Sequence, residues 1–146
     1  MVKNRRLILI ALILLAVIGL IDSIVIHEKI AGVIYTSCII GQGCDSVLNS
    51  VYSNFLGVPL SWWGIVFYSL LTGVLALRIA VEKKIFENIS FLMIAGGFLF
   101  SLYLLYIQVF RLRDLCTYCM ISFSDVTLAI MFLLYSRKAR GASLQA

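Results

Sequence analysis

Residues 89–110 read ISFLMIAGGFLFSLYLLYIQVF, an apolar run of 22 residues without a formal charge. A helix of about 20 apolar residues crosses the hydrocarbon core of a bilayer and satisfies its own backbone polar groups, which lipid cannot do. Three similar runs occupy residues 7–26, 60–77 and 119–135, and Pro59 comes just before the second, where proline suits a helix start. The sequence therefore predicts an all-α membrane protein, a four-transmembrane-helix bundle.

The composition points to the same class. Of the 146 residues, 62% are hydrophobic and 13% are charged, and the mean hydropathy is +1.06. Soluble domains have about 45–50% apolar and about 25% charged residues. A soluble globule, a disordered tail and a nucleic-acid-binding domain are therefore excluded, despite the net charge of +5. Four spans and short loops use the whole length, so residues 1–146 are expected to form a single membrane domain.

The basic residues predict the direction of the spans. Four spans place both termini on one side of the membrane, and nine of the 12 basic residues fall on that side, against Lys29, Arg111 and Arg113 on the other. By the positive-inside rule, both termini are cytoplasmic. The outer loop, residues 27–59, and a short link before the fourth span then face outward. The first run starts like a signal peptide, but it is long and no A-x-A-like site follows, so we interpret it as a span.

The outer loop contains one stretch with helical spacing. Val47, Leu48, Val51 and Phe55 recur on one side of residues 45–55. A short half-helix lying on the membrane surface would bury that stripe, and an irregular loop is the alternative. Either form would cap the outer end of the bundle.

The four cysteines all fall in the outward-facing segments: Cys38, Cys44, Cys116 and Cys119. Disulfides form and persist outside the cytoplasm, so two close pairs fit two disulfides of undetermined connectivity. The C-x-x-C of residues 116–119 opens the fourth span, and Cys119 would sit in its first turn, where unpaired N–H groups and the helix dipole stabilise a thiolate. The Cys38–Cys44 pair lies on a glycine-containing tether, which suits a pair that moves between two partners.

Three interpretations of these cysteines stay open at this point. They could form a redox relay, two structural disulfides in a membrane scaffold, or one four-thiolate zinc site. The oxidising side and the five-residue spacing of the loop pair disfavour zinc. A relay needs an electron acceptor, and the chain has no flavin, haem or nucleotide motif. A lipid-soluble quinone, arriving through the bilayer, fits that need.

Three motifs in order resemble the vitamin K epoxide reductase family. They are CDSVLNS at residues 44–50, GVPLSWWG at residues 57–64 and CTYC at residues 116–119. The likeness runs from the first span to the fourth. The quinone-linked disulfide-bond protein B type also has four helices, but it keeps its C-x-x-C in the first outer loop, whereas here the motif opens the last span.

The resemblance implies a route for electrons. A thioredoxin-like partner, secreted or membrane-anchored, would reduce a shuttle pair formed by Cys38 and Cys44. The shuttle pair would reduce the active-site pair, Cys116 and Cys119, with Cys44 exchanging with Cys116 and Cys38 meeting the partner. Cys119 would face a quinone of the menaquinone, ubiquinone or vitamin K type. The expected activity is a quinone-dependent thiol:disulfide oxidoreductase that supports disulfide-bond formation outside the cytoplasm.

Four residues are predicted to contact the quinone: Ser61, Trp62, Ser122 and Phe123. Ser61 matches a family serine near the quinone site, and Ser122 and Phe123 share the helix face of the final cysteine. Trp62 fits a ligand pocket or an interfacial aromatic belt. The animal enzymes carry an asparagine before that serine and a tyrosine four residues after the final cysteine, where this chain has Leu60 and Phe123. These departures favour a plain quinone over an epoxide.

Two carboxyl groups interrupt the apolar spans. A carboxylate inside a span is costly and often functional, so Asp22 or Asp125 could relay protons to a quinone. An interhelical hydrogen bond to Ser or Tyr is the alternative. His27, the single histidine, lies at the outer end of the first span and is predicted to have a surface role.

Overall fold

The computed structural model describes residues 2–32, 48, 51–81, 83–113 and 115–144. Within these ranges the chain forms four long helices: α1 (Val2–Ile30), α2 (Leu60–Ala80), α3 (Lys84–Ile107) and α4 (Thr117–Leu144). Each contributes a segment long and apolar enough to cross a membrane. The prediction of a four-transmembrane-helix bundle is confirmed, and the predicted spans lie inside the observed segments.

The core comes from one stripe on each helix. Three helices contribute residues at positions i, i+3 and i+7, which share a helix face. These are Leu9, Leu12 and Ala16 of α1, Tyr68, Leu71 and Leu75 of α2, and Val126, Ala129 and Leu133 of α4, with Ile94 from α3. Many other large apolar side chains point outward, Leu92 at 74% exposure among them. That is expected, because lipid is as apolar as the core.

Short connections order the bundle. Val81–Lys83 and Arg113–Cys116 join consecutive helices, which therefore run antiparallel. In the packed bundle, α1 contacts α2 and α4, and α3 contacts α4 and α2. Gly19 is one place where this packing needs a glycine, because a Cβ there would overlap the Tyr68 ring. We call the end of the bundle that holds Cys116 the cysteine end, and the opposite end, which holds Arg78, the basic end.

A small hairpin stands before α2. A 3₁₀ turn at Val51–Ser53 leads into β1 (Asn54–Phe55), which pairs antiparallel with β2 (Val58–Pro59). Leu56 and Gly57 both have positive φ, +56° and +79°, as in a two-residue type I′ turn. The helix considered for residues 45–55 is therefore wrong over its last two residues, because the chain reverses there. Residues 45–47 lie outside the described residues.

Candidate functional site

The C-x-x-C motif forms the start of α4, as the sequence predicts. The carbonyl of Cys116 accepts the first intrahelical hydrogen bond, from the Met120 N–H at 3.1 Å, so Cys116 occupies the N-cap position. Cys119 follows in the first turn. Both are free thiols, Cys116 fully buried and Cys119 partly buried. The motif therefore places two sulfurs side by side at a helix N-terminus.

The position of Cys116 stabilises its thiolate. A hydrogen bond from the Cys119 thiol lowers the pKa of Cys116 to about 6, although burial acts in the opposite direction. The backbone N–H groups of Cys119 and Tyr118 also donate to this sulfur, and the Lys29 ammonium adds a favourable charge interaction. A side chain at the N-cap accepts from these N–H groups. The start of α4 thus favours the thiolate at Cys116, whereas the sequence predicts it at Cys119.

Gln108 supports the pair from the end of α3. The helix ends in a π-helical turn, Gln108–Leu112, and Arg113 then adopts a left-handed conformation with φ +53°. This path turns Gln108 inward, where it is buried and its Oε1 accepts the Cys116 N–H at 3.1 Å. Its side chain also hydrogen-bonds Cys119. Sequence reasoning missed this residue, and the signal available was a lone amide within a charge-free apolar run.

A cavity of about 480 Å³ lies between the helices at the cysteine end. Small-molecule sites usually measure about 300–1,000 Å³, so the cavity can hold a ring system. Its walls are mainly apolar, and Phe67, Phe100 and Leu104 are among them. Leu48 and Leu112 line the cavity and also pack against Cys116. The cavity and the cysteine pair therefore share a wall, although neither sulfur lines the cavity itself.

Two of the predicted quinone contacts line this cavity. Ser61 Oγ lies 3.3 Å from His27 Nδ1, and Ser122 Oγ lies 3.0 Å from the Tyr68 hydroxyl. His27, predicted to have a surface role, is partly buried and holds Ser61 from the end of α1. The cavity thus has hydroxyl groups from α2 and α4 in a wall that is otherwise mainly apolar.

Trp62 and Phe123, the other two predicted contacts, are outside the lining. Trp62 is 48% exposed and packs edge-on against His27, with ring centroids 5.3 Å apart. The indole that lines the cavity belongs to Trp63, whose Nε1 donates to the Phe55 carbonyl at 3.3 Å. Phe123 stacks on Phe98. Adjacent side chains on a helix point about 100° apart. When Trp63 faces the cavity, its neighbour Trp62 therefore faces away from it.

The shuttle cysteines lie outside the described residues. Cys38 and Cys44 fall in residues 33–47, so their predicted pairing and the four-thiolate zinc alternative stay predictions. Leu48 follows Cys44 by four residues, and it contacts Cys116.

Comparison with known families gives one match. Residues 10–135 match the model described as the Vitamin K epoxide reductase family. This range contains the membrane-spanning part of α2 and α3, most of that of α1 and α4, and all four cysteines.

Proposed function

Since this chain belongs to the vitamin K epoxide reductase family, a family of membrane oxidoreductases, we propose that it passes electrons from a dithiol partner to a quinone dissolved in the bilayer. One observation carries the proposal. A free cysteine pair at a helix N-terminus shares a wall with a cavity of about 480 Å³ inside a membrane bundle.

The residues around the cavity suit a quinone ring. A bound quinone would accept two electrons and two protons. The apolar walls would bind the ring and its isoprenoid tail by burial of apolar surface. Ser61 and Ser122 offer hydroxyl donors from two helices, which suit the two carbonyl oxygens of such a ring.

A ring bound at the Gln108 end of the cavity would lie near the cysteine pair. Ser122, in the cavity wall, follows Cys119 by three residues, about 4.5 Å along the helix axis. Gln108 lines the cavity and hydrogen-bonds both cysteines, through the backbone N–H of Cys116 and the side chain of Cys119. It can hold the pair in place while the Cys116–Cys119 disulfide closes and two electrons leave.

The loop pair Cys38 and Cys44 would deliver electrons to Cys116. Cys44 precedes Leu48 by four residues, a chain that spans at most about 14 Å, and Leu48 contacts Cys116. Cys38 lies ten residues before Leu48 and six after Gly32, so it is tied less closely to Cys116, which suits exchange with an outside thioredoxin-like protein. We therefore assign Cys44 to exchange with Cys116 and Cys38 to exchange with the partner.

Trapping tests this assignment. The Cys38→Ala variant should accumulate a Cys44–Cys116 bridge, detected by mass spectrometry of non-reduced peptides. A bridge between Cys38 and Cys116, found in the Cys44→Ala variant with no bridge in Cys38→Ala, would reverse the two roles.

The cysteine end would face out of the cytoplasm, where the secreted substrates of disulfide formation are. The basic end, with Arg78 and Arg137, would then lie at the cytoplasmic surface, as the positive-inside rule requires. In a variant whose four native cysteines are replaced by alanine, a membrane-impermeant maleimide should label Leu56→Cys, at the exposed hairpin turn, in intact cells. The matched control, Lys138→Cys at the other end, should react only after lysis, and the reverse pattern would exclude this orientation.

Quinone reduction by the purified protein tests the activity. With dithiothreitol as the electron donor, the wild-type protein should reduce a short-chain ubiquinone, and Cys119→Ala should lose this activity. Ser124→Ala is the matched control, since Ser124 lies exposed on the same helix and its hydroxyl donates to the Met120 carbonyl one turn earlier. Full activity in Cys119→Ala would contradict the proposal and favour a scaffold with structural disulfides.

A further inference from the structure

Two carboxyl groups lie buried within the membrane bundle, close to the cysteine pair. Asp22 of α1 is 7% exposed and Asp125 of α4 is 4% exposed. Asp22 Oδ2 and Asp125 Oδ1 have no hydrogen-bond partner among the described residues. A carboxylate in an apolar interior is far more costly than a neutral acid, and buried polar atoms usually have partners. These two groups therefore need an explanation that packing does not supply.

The carboxyl groups connect the cysteines to the cavity. Asp22 interacts electrostatically with Cys116, Cys119 and Asp125. A side-chain hydrogen bond joins Asp125 to the Tyr68 hydroxyl. Tyr68 shares a 3.0 Å hydrogen bond with Ser122, and both residues line the cavity. Hydrogen bonds thus join Asp125, Tyr68 and Ser122 to the cavity wall, and Asp22 lies within electrostatic range of the thiols and of Asp125.

Each group in this series can carry a proton. Carboxyl groups and hydroxyls both donate and accept, so a proton can enter at one end as another leaves at the other. The Tyr68 hydroxyl is held in line because its ring fits against Gly19, where no side chain competes for the space. A merely structural role for the carboxyls, an interhelical hydrogen bond, would explain the Asp125–Tyr68 contact but would leave the unpartnered oxygens without a reason.

We propose that Asp22 and Asp125, acting through Tyr68 and Ser122, carry a proton from the cysteine pair to the quinone oxygen that faces Ser122. This inference rests on the proposed quinone reductase function. Asp22 and Asp125 are positioning residues, because they act through the two hydroxyls and do not touch the ring.

The reaction balances with this route. Closure of the Cys116–Cys119 disulfide forms one S–S bond and gives up two electrons, and reduction of the quinone to a hydroquinone takes up two electrons and two protons. The Cys119 thiol and the helix N-terminus lower the pKa of Cys116, so we take Cys116 as the thiol that gives its proton to solvent. The pair therefore holds one proton, on Cys119, and this is the proton that the series delivers. The second proton of the hydroquinone comes from solvent.

The test compares variants of the full chain in lipid nanodiscs, with dithiothreitol as donor and a short-chain ubiquinone as acceptor. Asp125→Asn keeps the shape but cannot exchange the acidic proton, and it should lower kcat about a hundredfold while KM for the quinone stays unchanged. Asp22→Asn and Tyr68→Phe should also lower kcat. Asp125→Glu, which restores the acid, should recover most of the rate. Thr127→Val is the matched control on α4, since the Thr127 hydroxyl donates to the Phe123 carbonyl of the same helix, and it should keep the wild-type rate.

A second readout separates proton delivery from packing. The rate of Asp125→Asn should slow more in D₂O than the wild-type rate does, because proton transfer becomes the limiting step. An unchanged kcat in Asp125→Asn, or an equal solvent isotope effect in both proteins, would overturn the relay and leave the proposed function intact. A rise in KM without a fall in kcat would also overturn it, since it would assign Asp125 to quinone binding. A wild-type protein that reduces no quinone would overturn the proposed function first, and the relay with it.

Discussion

The two ends of the bundle bury ionisable groups in opposite ways. At the basic end, the Glu87 Oε1 atom lies 3.9 Å from a guanidinium nitrogen of Arg78 and 3.9 Å from one of Arg137. Arg78 also donates to Ser90 Oγ at 3.2 Å, and Arg137 donates to Asn88 at 3.1 Å. Towards the cysteine end, Asp22 and Asp125 have no basic side chain among the interactions that the structure shows for them.

This difference separates two uses of buried charge. The cluster at the basic end compensates its charges and ties α2, α3 and α4 together, so it is a structural joint. Asp125 reaches the cavity wall through its hydrogen bond to Tyr68, and Asp22 interacts electrostatically with Cys116, so these two carboxyls suit proton chemistry. Buried ionisable groups in a membrane protein are costly in both settings, and their partners indicate which purpose they serve.

The largest effect is expected when the joint loses one partner. Arg78→Met should lower the free energy of unfolding by about 3–5 kcal/mol, because it leaves Glu87 buried with less compensation. Unfolding in detergent, followed by circular dichroism, measures this loss. The double variant Arg78→Met/Glu87→Gln should recover most of it, because no buried carboxylate remains. Equal stabilities of Arg78→Met and wild type would show that the joint does not stabilise the bundle.

A pH titration of Cys116 should show how the cysteine end stabilises a thiolate. The Cys116 thiolate, followed by its ultraviolet absorbance as the difference between wild type and Cys116→Ala, should form with a midpoint near pH 6. Because its pKa lies below the ordinary value, the thiolate is present above that pH and is lost as the pH falls through it. In Cys119→Ala the midpoint should move up, since the strongest stabilising hydrogen bond is gone. An unmoved midpoint would show that the helix N-terminus alone sets the pKa.

A smaller effect is expected at Asp22, where the substitution should not destabilise the bundle as Arg78→Met does. Asp22→Asn should change the free energy of unfolding by less than about 1 kcal/mol, and without a net loss, because Asp22 Oδ2 has no hydrogen-bond partner among the described residues. The same unfolding measurement applies. A loss comparable with that of Arg78→Met would mean that Asp22 is part of a second structural joint, and the contrast between the two ends would fail.

The smallest effect concerns backbone strain, which also lies at the cysteine end. Leu56 and Arg113 are the non-glycine residues with positive φ in the described part of the chain. Leu56→Asn should raise the stability by about 0.5 kcal/mol, because asparagine tolerates the left-handed region better than leucine does. Leu56→Val, with a β-branched side chain, should lower it. Thermal unfolding of both variants checks the sign, and a stabilising Leu56→Val would contradict the assigned turn.

The sequence predicts the bundle well because membrane spans depend on length and hydropathy, and both are local properties. It also places the C-x-x-C correctly, since Cys116 and Cys119 stand where an apolar run begins. It does not predict which of two adjacent side chains faces the cavity. Trp62 and Trp63 have similar chemistry, and the rotation of α2 within the bundle decides between them.

The remaining residues of the site depend on irregular backbone or on distant contacts. Gln108 reaches Cys116 only because the end of α3 widens into a π-helical turn, which hydropathy does not reveal. Lys29 interacts with Cys116 across the bundle, from an element far away in sequence. The link between Asp125 and the cavity likewise passes through Tyr68, 57 residues earlier in the chain.

Single-turnover oxidation tests the central claim most directly. The Cys38→Ala/Cys44→Ala double variant, reduced beforehand, freed of reductant and kept anaerobic in nanodiscs, contains only the Cys116–Cys119 pair. On mixing with a short-chain ubiquinone, it should form one hydroquinone for each Cys116–Cys119 disulfide that closes. Both thiols remaining free while excess quinone stays oxidised would contradict the account.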